Sequence, residues 1–501
     1  VPDPVTDPAS NPDTNPDAAA SESQGGTPDE RTSRRGPLAR AADAVWSFSA
    51  AAVPHLARRN YRFELVSSFY LPFLLAVVDS TIISVVAKNA FEGRVAPGTL
   101  NIVVAILTAS TAFSNIVSFV WVRLAHGRDK IRFINALQLA MVVLVAAVGL
   151  VPITAEGLWL LVALVIAARF CWAGFLTLRT TVWRQNYTRE ARARVTGKLA
   201  TIQSIAVAVL GFGLGLAMEV ESWAFRVFFP LGAMLALTGV WAWGSIRVRG
   251  HRELLARERA SAVDGDAPSF NPSGMVRLLA DDRRYAGYMG CMMLLGLGNL
   301  MVPPVLVIAL RDVFGLAYLG GIAIANSLPL LMMPLSIPLW ARLLDRVHVI
   351  EFRAIHAWVF VTATVIDFVA VLSGVVEFLY VSSAIRGLAF GGGALAWNLG
   401  HMDFAPAHRA SEYMGVHVTL TGVRGLMAPF LAVGLWKLFE SISPGAGAWT
   451  FFVCAILCVL GGLGFLRMRR SLRADVASGQ LIDPERRADA AAAGPKPENP
   501  R

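Results

Sequence analysis

Long apolar runs recur along this sequence and leave little room for anything else. Each is about 20 residues, the length an α-helix needs to cross the hydrocarbon core of a bilayer. They fall at 64–87, 99–122, 132–153, 157–178, 196–219 and 222–245, then at 285–310, 318–341, 350–373, 377–400, 413–437 and 446–466. Backbone N–H and C=O groups in a bilayer must be satisfied within the segment, so such runs are helices. The expected fold class is an all-α membrane protein with about twelve transmembrane helices. Composition agrees: 16% of the residues are charged, against about 25% in a soluble domain. Pro303, Pro304, Pro329, Pro334 and Pro338 interrupt the seventh and eighth runs, where kinks are expected.

The formal net charge is +10. The basic residues sit at the ends of apolar runs and build no recognition module, so no nucleic-acid partner is expected. They orient the chain instead. Arg128, Lys130, Arg132, Arg184, Arg189, Arg192, Arg194, Arg342, Arg346, Arg353 and Arg409 fall in one set of connections. Lys88, Arg94, Arg226, Arg311 and Lys437 are the few in the opposite set. The positive-inside rule then predicts a multi-pass protein of the cytoplasmic membrane, surrounded by lipid, with both termini cytoplasmic.

Residues 1–60 read as a disordered tail, rich in Pro, Asp, Ser and Ala, with an interfacial amphipathic helix at about 39–60 carrying Trp46, Phe48, Arg58 and Arg59. The first apolar stretch begins near Leu65, too late for a cleavable leader. Residues 247–284 form a charged cytoplasmic linker that splits the helices into bundles at 61–246 and 285–468, and 469–501 read as a second disordered tail. Cys171, Cys291, Cys454 and Cys458 all lie inside apolar runs, where cysteine acts as a small apolar residue. No disulfide, metal or cofactor is expected. The glycines at 211–215 and 391–393 lie inside apolar runs without a preceding strand, which points to helix packing and not to a nucleotide.

The two bundles repeat. Arg123 matches Arg342, Arg169 matches Arg386, Gly197 matches Gly415 and Asp79 matches Asn299, each about 217 to 220 residues on. A common offset implies two six-helix bundles related by a pseudo-two-fold axis.

The second copy of the loop at this landmark, Ala341-Arg342-Leu343-Leu344-Asp345-Arg346-Val347-His348, resembles the G-x-x-x-D-R-x-G-R-R loop of the major facilitator superfamily. In the first copy Val122 stands where the first glycine is expected, and His126 where the acid is expected. Arg128, Asp129 and Lys130 keep a charge cluster. Arg169-Phe170-Cys171-Trp172-Ala173-Gly174-Phe175 is similar to the family's R-x-x-Q-G-x-G signature, with Trp172 in place of Gln. The resemblance covers about residues 60 to 468. It implies a conformational latch at Arg123, His126, Arg128, Arg342, Asp345 and Arg346. It also implies a central cavity lined by the first, fourth, seventh and tenth helices. Asp79, Arg169, Asn299 and Arg386 fall one on each, and with Arg424 they are the expected solute- and proton-coupling residues.

Ionisable groups at bilayer depth cost roughly 2.5 kcal/mol or more unless paired or hydrated, so they mark function by default. Asp79 and Arg169 lie at depths that differ by about one helical turn, which allows a pair. Such a pair could also be purely structural. Asp367, His401, Asp403 and His417 are weaker candidates. The expected function is secondary active transport of a small solute by alternating access, by a monomer, with protons as the coupling ion. The arginine of the fourth run favours export over import. An enzyme is not expected, because no nucleophile–base set is visible. The alternative is a non-transporting scaffold or assembly factor on the same fold.

Overall fold

The computed structural model describes residues 46–117, 119–263, 272–405 and 409–478. Most of the expected N-terminal tail, residues 264–271 of the linker and residues 479–501 of the expected C-terminal tail lie outside the described residues. All regular elements among the described residues are helical. A separate compact unit ends at Arg58. Its described part, 46–58, holds short 3-10 turns at Ala50–Ala52 and His55–Ala57, so no continuous amphipathic helix runs through 46–57.

The first half contains α1 (Arg58–Tyr70), α2 (Pro72–Val78), α3 (Ser80–Ala90), α4 (Pro97–Ile116), α5 (Phe119–Ala125), α6 (Lys130–Val148), α7 (Ala155–Asn186), α8 (Arg189–Val220) and α9 (Phe225–Gly244). Helices α10 (His251–Val263) and α11 (Pro272–Asp281) follow in the linker. The second half contains α12 (Arg283–Asp312), α13 (Tyr318–Ile322), α14 (Leu328–Leu344), α15 (Val349–Ser373), α16 (Glu377–Leu399), α17 (Ala410–Ile442) and α18 (Trp449–Ala477). Among the described residues, eleven helical segments are long and apolar enough to cross a membrane, and twelve if a bent pair counts as one. The chain is a multi-pass membrane protein.

Local chemistry sets the helix starts. Pro72 and Pro97 occupy first-turn positions, where the missing N–H costs nothing. Asp129 caps α6 through the amides of Ile131 and Arg132, and Thr154 caps α7 through Gly157. Gly374 ends α15 in the left-handed region at φ 72°, which a side chain would oppose.

Four spans bear on the expected boundaries and kinks. The first span is not one helix: α1 and α2 meet at 42°, and the chain breaks again at Asp79, whose ψ of 116° is extended. The prolines of the seventh span do not break α12, which runs unbroken from Arg283 to Asp312. The eighth span is irregular instead upstream of Pro329, in a π-helical turn at Ala323–Ser327. Finally, α18 continues past residue 469. Arg469 and Arg473 lie one turn apart and both reach Glu351 of α15, at 3.5 and 2.5 Å, so the last turns are held by charge.

Apolar packing is organised by half. One core is built almost wholly from residues 71–246, and two more almost wholly from residues 278–472. The halves meet where α4 packs on α17, α8 on α13 and α14, and α3 on α12. Small residues bring the backbones together there. A Cβ on Gly425 would lie 2.7 Å from the Ala112 Cβ, and one on Gly215 would lie 3.1 Å from the Leu319 Cα.

Candidate functional site: buried charge in two helical halves

Asp79 is the C-cap of α2 and the N-cap of α3. Its Oδ1 accepts from the amides of Thr81 (3.0 Å) and Ile82 (3.1 Å). The N-terminus of α3 carries partial positive charge and stabilises an anion there. Arg169, in the middle of α7, lies within electrostatic range of Asp79, but no ion pair within 4.0 Å joins them. The Arg169 guanidinium donates to the Thr111 hydroxyl of α4, and its Nε has no partner. Both residues are half-buried. The expected closeness of Asp79 and Arg169 is therefore present, and the expected direct pair is not.

In the second half the matching arginine is differently placed. Arg386 of α16 is ion-paired with Asp367 of α15, and Ser382 donates to the other carboxylate oxygen at 2.5 Å. Asp367 is fully buried and the Arg386 side chain is 5% exposed. Two helices are tied together by this pair, and Arg386 does not line the cavity beside it. Asn299 and Arg424 do. They border a cavity of about 380 Å3, together with Arg353, Phe360, Phe390 and Trp397. Pockets of this size hold small organic molecules. Gly296 makes room for Arg424: a Cβ there would stand 2.6 Å from the Arg424 Nε. Pro303 on the same helix removes the hydrogen bond to the carbonyl of Asn299.

One end of the seam between the halves is held by charge. Lys88 Nζ of α3 reaches Asn101 of α4 at 2.7 Å and Asp312 of α12 at 2.9 Å. Arg311 pairs with Glu92 nearby, and Glu219 of α8 accepts from the amide of Leu319 at 3.1 Å. Beyond this lock lies a pocket of about 480 Å3 bordered by Asn101, Asp312, Lys437 and Glu440.

At the opposite end, the expected latch residues are loop and helix-end groups. Arg123, Arg128, Arg342, Asp345 and Arg346 are exposed and His126 is half-buried. The ionic contacts described here use other residues. Glu258 of the linker helix α10 accepts from Lys130 at 2.5 Å and from the Gly127 amide at 2.8 Å. Asp403 accepts from the Val349 amide at 2.7 Å, beside His348, which caps α15. Burial pushes the His348 imidazole below its ordinary range, while Asp403 pulls it back up.

Several buried groups are not legible in the sequence, Glu64 and Arg353 among them. Glu64 of α1 is 1% exposed and accepts from Trp183 Nε1 (2.7 Å) and from the Tyr187 hydroxyl (2.9 Å). Arg353 was counted as loop charge, yet it is 3% exposed and lines the cavity. Its signal was the spacing Arg353, His356, Phe360, which places all three on one helix face. No cluster of three or more His, Cys, Asp or Glu side chains able to hold a metal occurs among the described residues.

Helical halves with charge inside each, a cavity among the helices of the second half and an ionic lock at one end of their seam define a multi-pass protein with the architecture of a membrane transporter. The chain belongs to the Major Facilitator Superfamily, whose family model matches residues 68–429. No curated protein matches the sequence. Solved structures do match the fold. The POT family transporter PepTSo shares 11% identity at a TM-score of 0.62, over 83% of this chain and 98% of that one. The D-xylose-proton symporter shares 12% at 0.61, over 81% and 96%. The nucleoside transporter NupG shares 13% at 0.55, over 83% and 99%. At such identities the likeness is one of fold.

Proposed function

We propose that this protein is a secondary active transporter that moves a small solute across the cytoplasmic membrane by alternating access, coupled to protons. Both termini face the cytoplasm, the monomer is the working unit, and export is favoured over import. The observation that carries the reading is Asp79, a carboxylate capping a helix break inside the first span, within range of Arg169. A broken helix places backbone dipoles and a titratable group at bilayer depth, where coupling ions are handled. A solute that screens Arg169 changes the field at Asp79, and with it the affinity of that carboxylate for a proton.

Supporting observations are the cavity in the second half and the Lys88–Asp312 lock, which gives the seam an end that can open and close. Asn299 and Arg424 contact the solute in this account, and Arg386 holds the cavity wall through Asp367. Arg123, His126, Arg128, Arg342, Asp345 and Arg346 form the latch that opposes the Lys88 end. One of the fold neighbours is named a D-xylose-proton symporter, which is consistent with proton coupling on this architecture. The test is a solute screen in proteoliposomes with and without an imposed pH gradient. Solute accumulation that follows the gradient is expected. No flux of any solute under either condition overturns the reading.

A further inference from the structure

We infer that the cavity of the second half is a binding site for an organic anion, with an acidic head held by Arg353 and Arg424 and an apolar body packed on Phe360, Phe390 and Trp397. This rests on the transport reading only for its purpose, as it names the class of solute. The binding site stands on its own observations.

The first is an imbalance of charge. Arg353 of α15 is 3% exposed and Arg424 of α17 is 7% exposed, and both border the cavity. Among the described residues no carboxylate lies within 4.0 Å of either, whereas the Arg386 guanidinium next door has Asp367. The groups in electrostatic range of Arg424 include Arg353, Tyr288 and His417, one of them another fixed cation and none of them a carboxylate. Two buried like charges are costly without a counter-charge. An anion bound between them removes that cost, and its binding gains accordingly.

The second is a set of buried polar atoms with no protein partner. The Nε atoms of the cavity residues Arg353 and Arg424 are unpartnered, as are, behind the cavity lining, the Tyr288 hydroxyl and both ring nitrogens of His417. His417 and Arg424 lie seven residues apart on α17, which puts them on one face. Arg353 contacts His356 at 3.2 Å and Arg424 donates to the Met292 carbonyl at 2.5 Å, so each guanidinium is anchored at one corner and keeps a donor edge for a ligand. A planar fork of this kind suits a carboxylate or a phosphate.

The third is the lining. Phe360, Phe390 and Trp397 with Met292, Leu295 and Met333 make most of the remainder apolar, with Asn299 and Asn398 as the other polar side chains. A small inorganic anion would leave that apolar surface uncovered. An aromatic or branched acid satisfies both parts of the cavity.

The test uses the purified full-length protein in detergent at low ionic strength, with thermal unfolding read against phenylphosphate, phenylacetate, the neutral phenylacetamide and chloride. The two organic anions should raise the midpoint in a saturable way, and the amide and chloride should not at equal concentration. Arg353→Gln and Arg424→Gln should each raise the half-saturating concentration at least tenfold. If a Gln variant is not recovered folded, Gly296→Ala crowds the Arg424 guanidinium while keeping both charges, and should weaken binding in the same sense. An equal effect of the amide or of chloride, no response to either anion, or unchanged binding in these variants overturns the proposal. Because no gradient is involved, the transport reading fails separately: anion binding without flux in proteoliposomes leaves this site standing, and flux of neutral solutes unaffected by either Gln variant leaves transport standing without it.

Discussion

Arg386 and Asp367 form an ion pair sealed inside the second half, with Ser382 completing the carboxylate's hydrogen bonds. Arg169, the repeat counterpart of Arg386, has no such acid and donates to Thr111 instead. The same landmark has become a structural tie in one half and a charge beside a titratable group in the other.

That pair should behave as a unit. Asp367→Asn or Arg386→Gln alone leaves one buried charge uncompensated, at a cost of about 3–5 kcal/mol. The double variant should recover most of the loss. Thermal unfolding of the purified proteins checks this, and a double variant no better than the worse single would remove the pairing argument.

The spans were legible because hydropathy reports burial in lipid directly. The break at Asp79 was not, although Asp79-Ser80-Thr81 is a helix-start pattern embedded in apolar sequence. Hydropathy averages over such a cap. The repeat offset paired Asp79 with Asn299, yet the two differ locally: one interrupts its helix and the other sits within unbroken α12. Arg353 was hidden by its neighbours, since Arg342 and Arg346 made it look like one more loop charge. Only the register of α15 turns it inward. Asp367 could not be matched to Arg386 from sequence, because nothing in spacing along one chain reports which face of one helix meets another.

The lock at the Lys88 end should set the balance between open and closed forms. Asp312→Asn leaves Lys88, a side chain 3% exposed, with Asn101 alone, and the closed form should lose at least about 1.4 kcal/mol, a tenfold shift in population. Spin labels at Arg94 and Val313 would report it as a longer-distance population. Arg311→Gln removes a pair whose acid is 48% exposed, and should change the distribution far less. The reverse order would show that the lock lies elsewhere.

At the other end, Asp345→Asn should slow solute flux severalfold, and more than His126→Asn does, because only the second copy of the loop keeps the acid followed by arginine. Asp345 is exposed, so its loss should shift stability by no more than about 0.5 kcal/mol. Glu258→Gln should loosen α10 from Lys130 and the Gly127 amide, which protease sensitivity of the linker would register. Flux untouched by Asp345→Asn would remove the latch from the account.

The proton is the central claim, and Asp79 allows a clean test of it. Asn keeps an oxygen that can accept from the Thr81 and Ile82 amides, so Asp79→Asn should fold with nearly native stability. Asp79→Ala, which loses the cap, should cost about 0.5–2 kcal/mol. The decisive measurement is internal pH in proteoliposomes, followed with an enclosed dye as solutes from the screen are added outside. The wild type should show solute-dependent proton movement, and Asp79→Asn should show none while still exchanging labelled solute. Equal proton movement in the two proteins, or solute flux without proton movement in the wild type, would contradict the account.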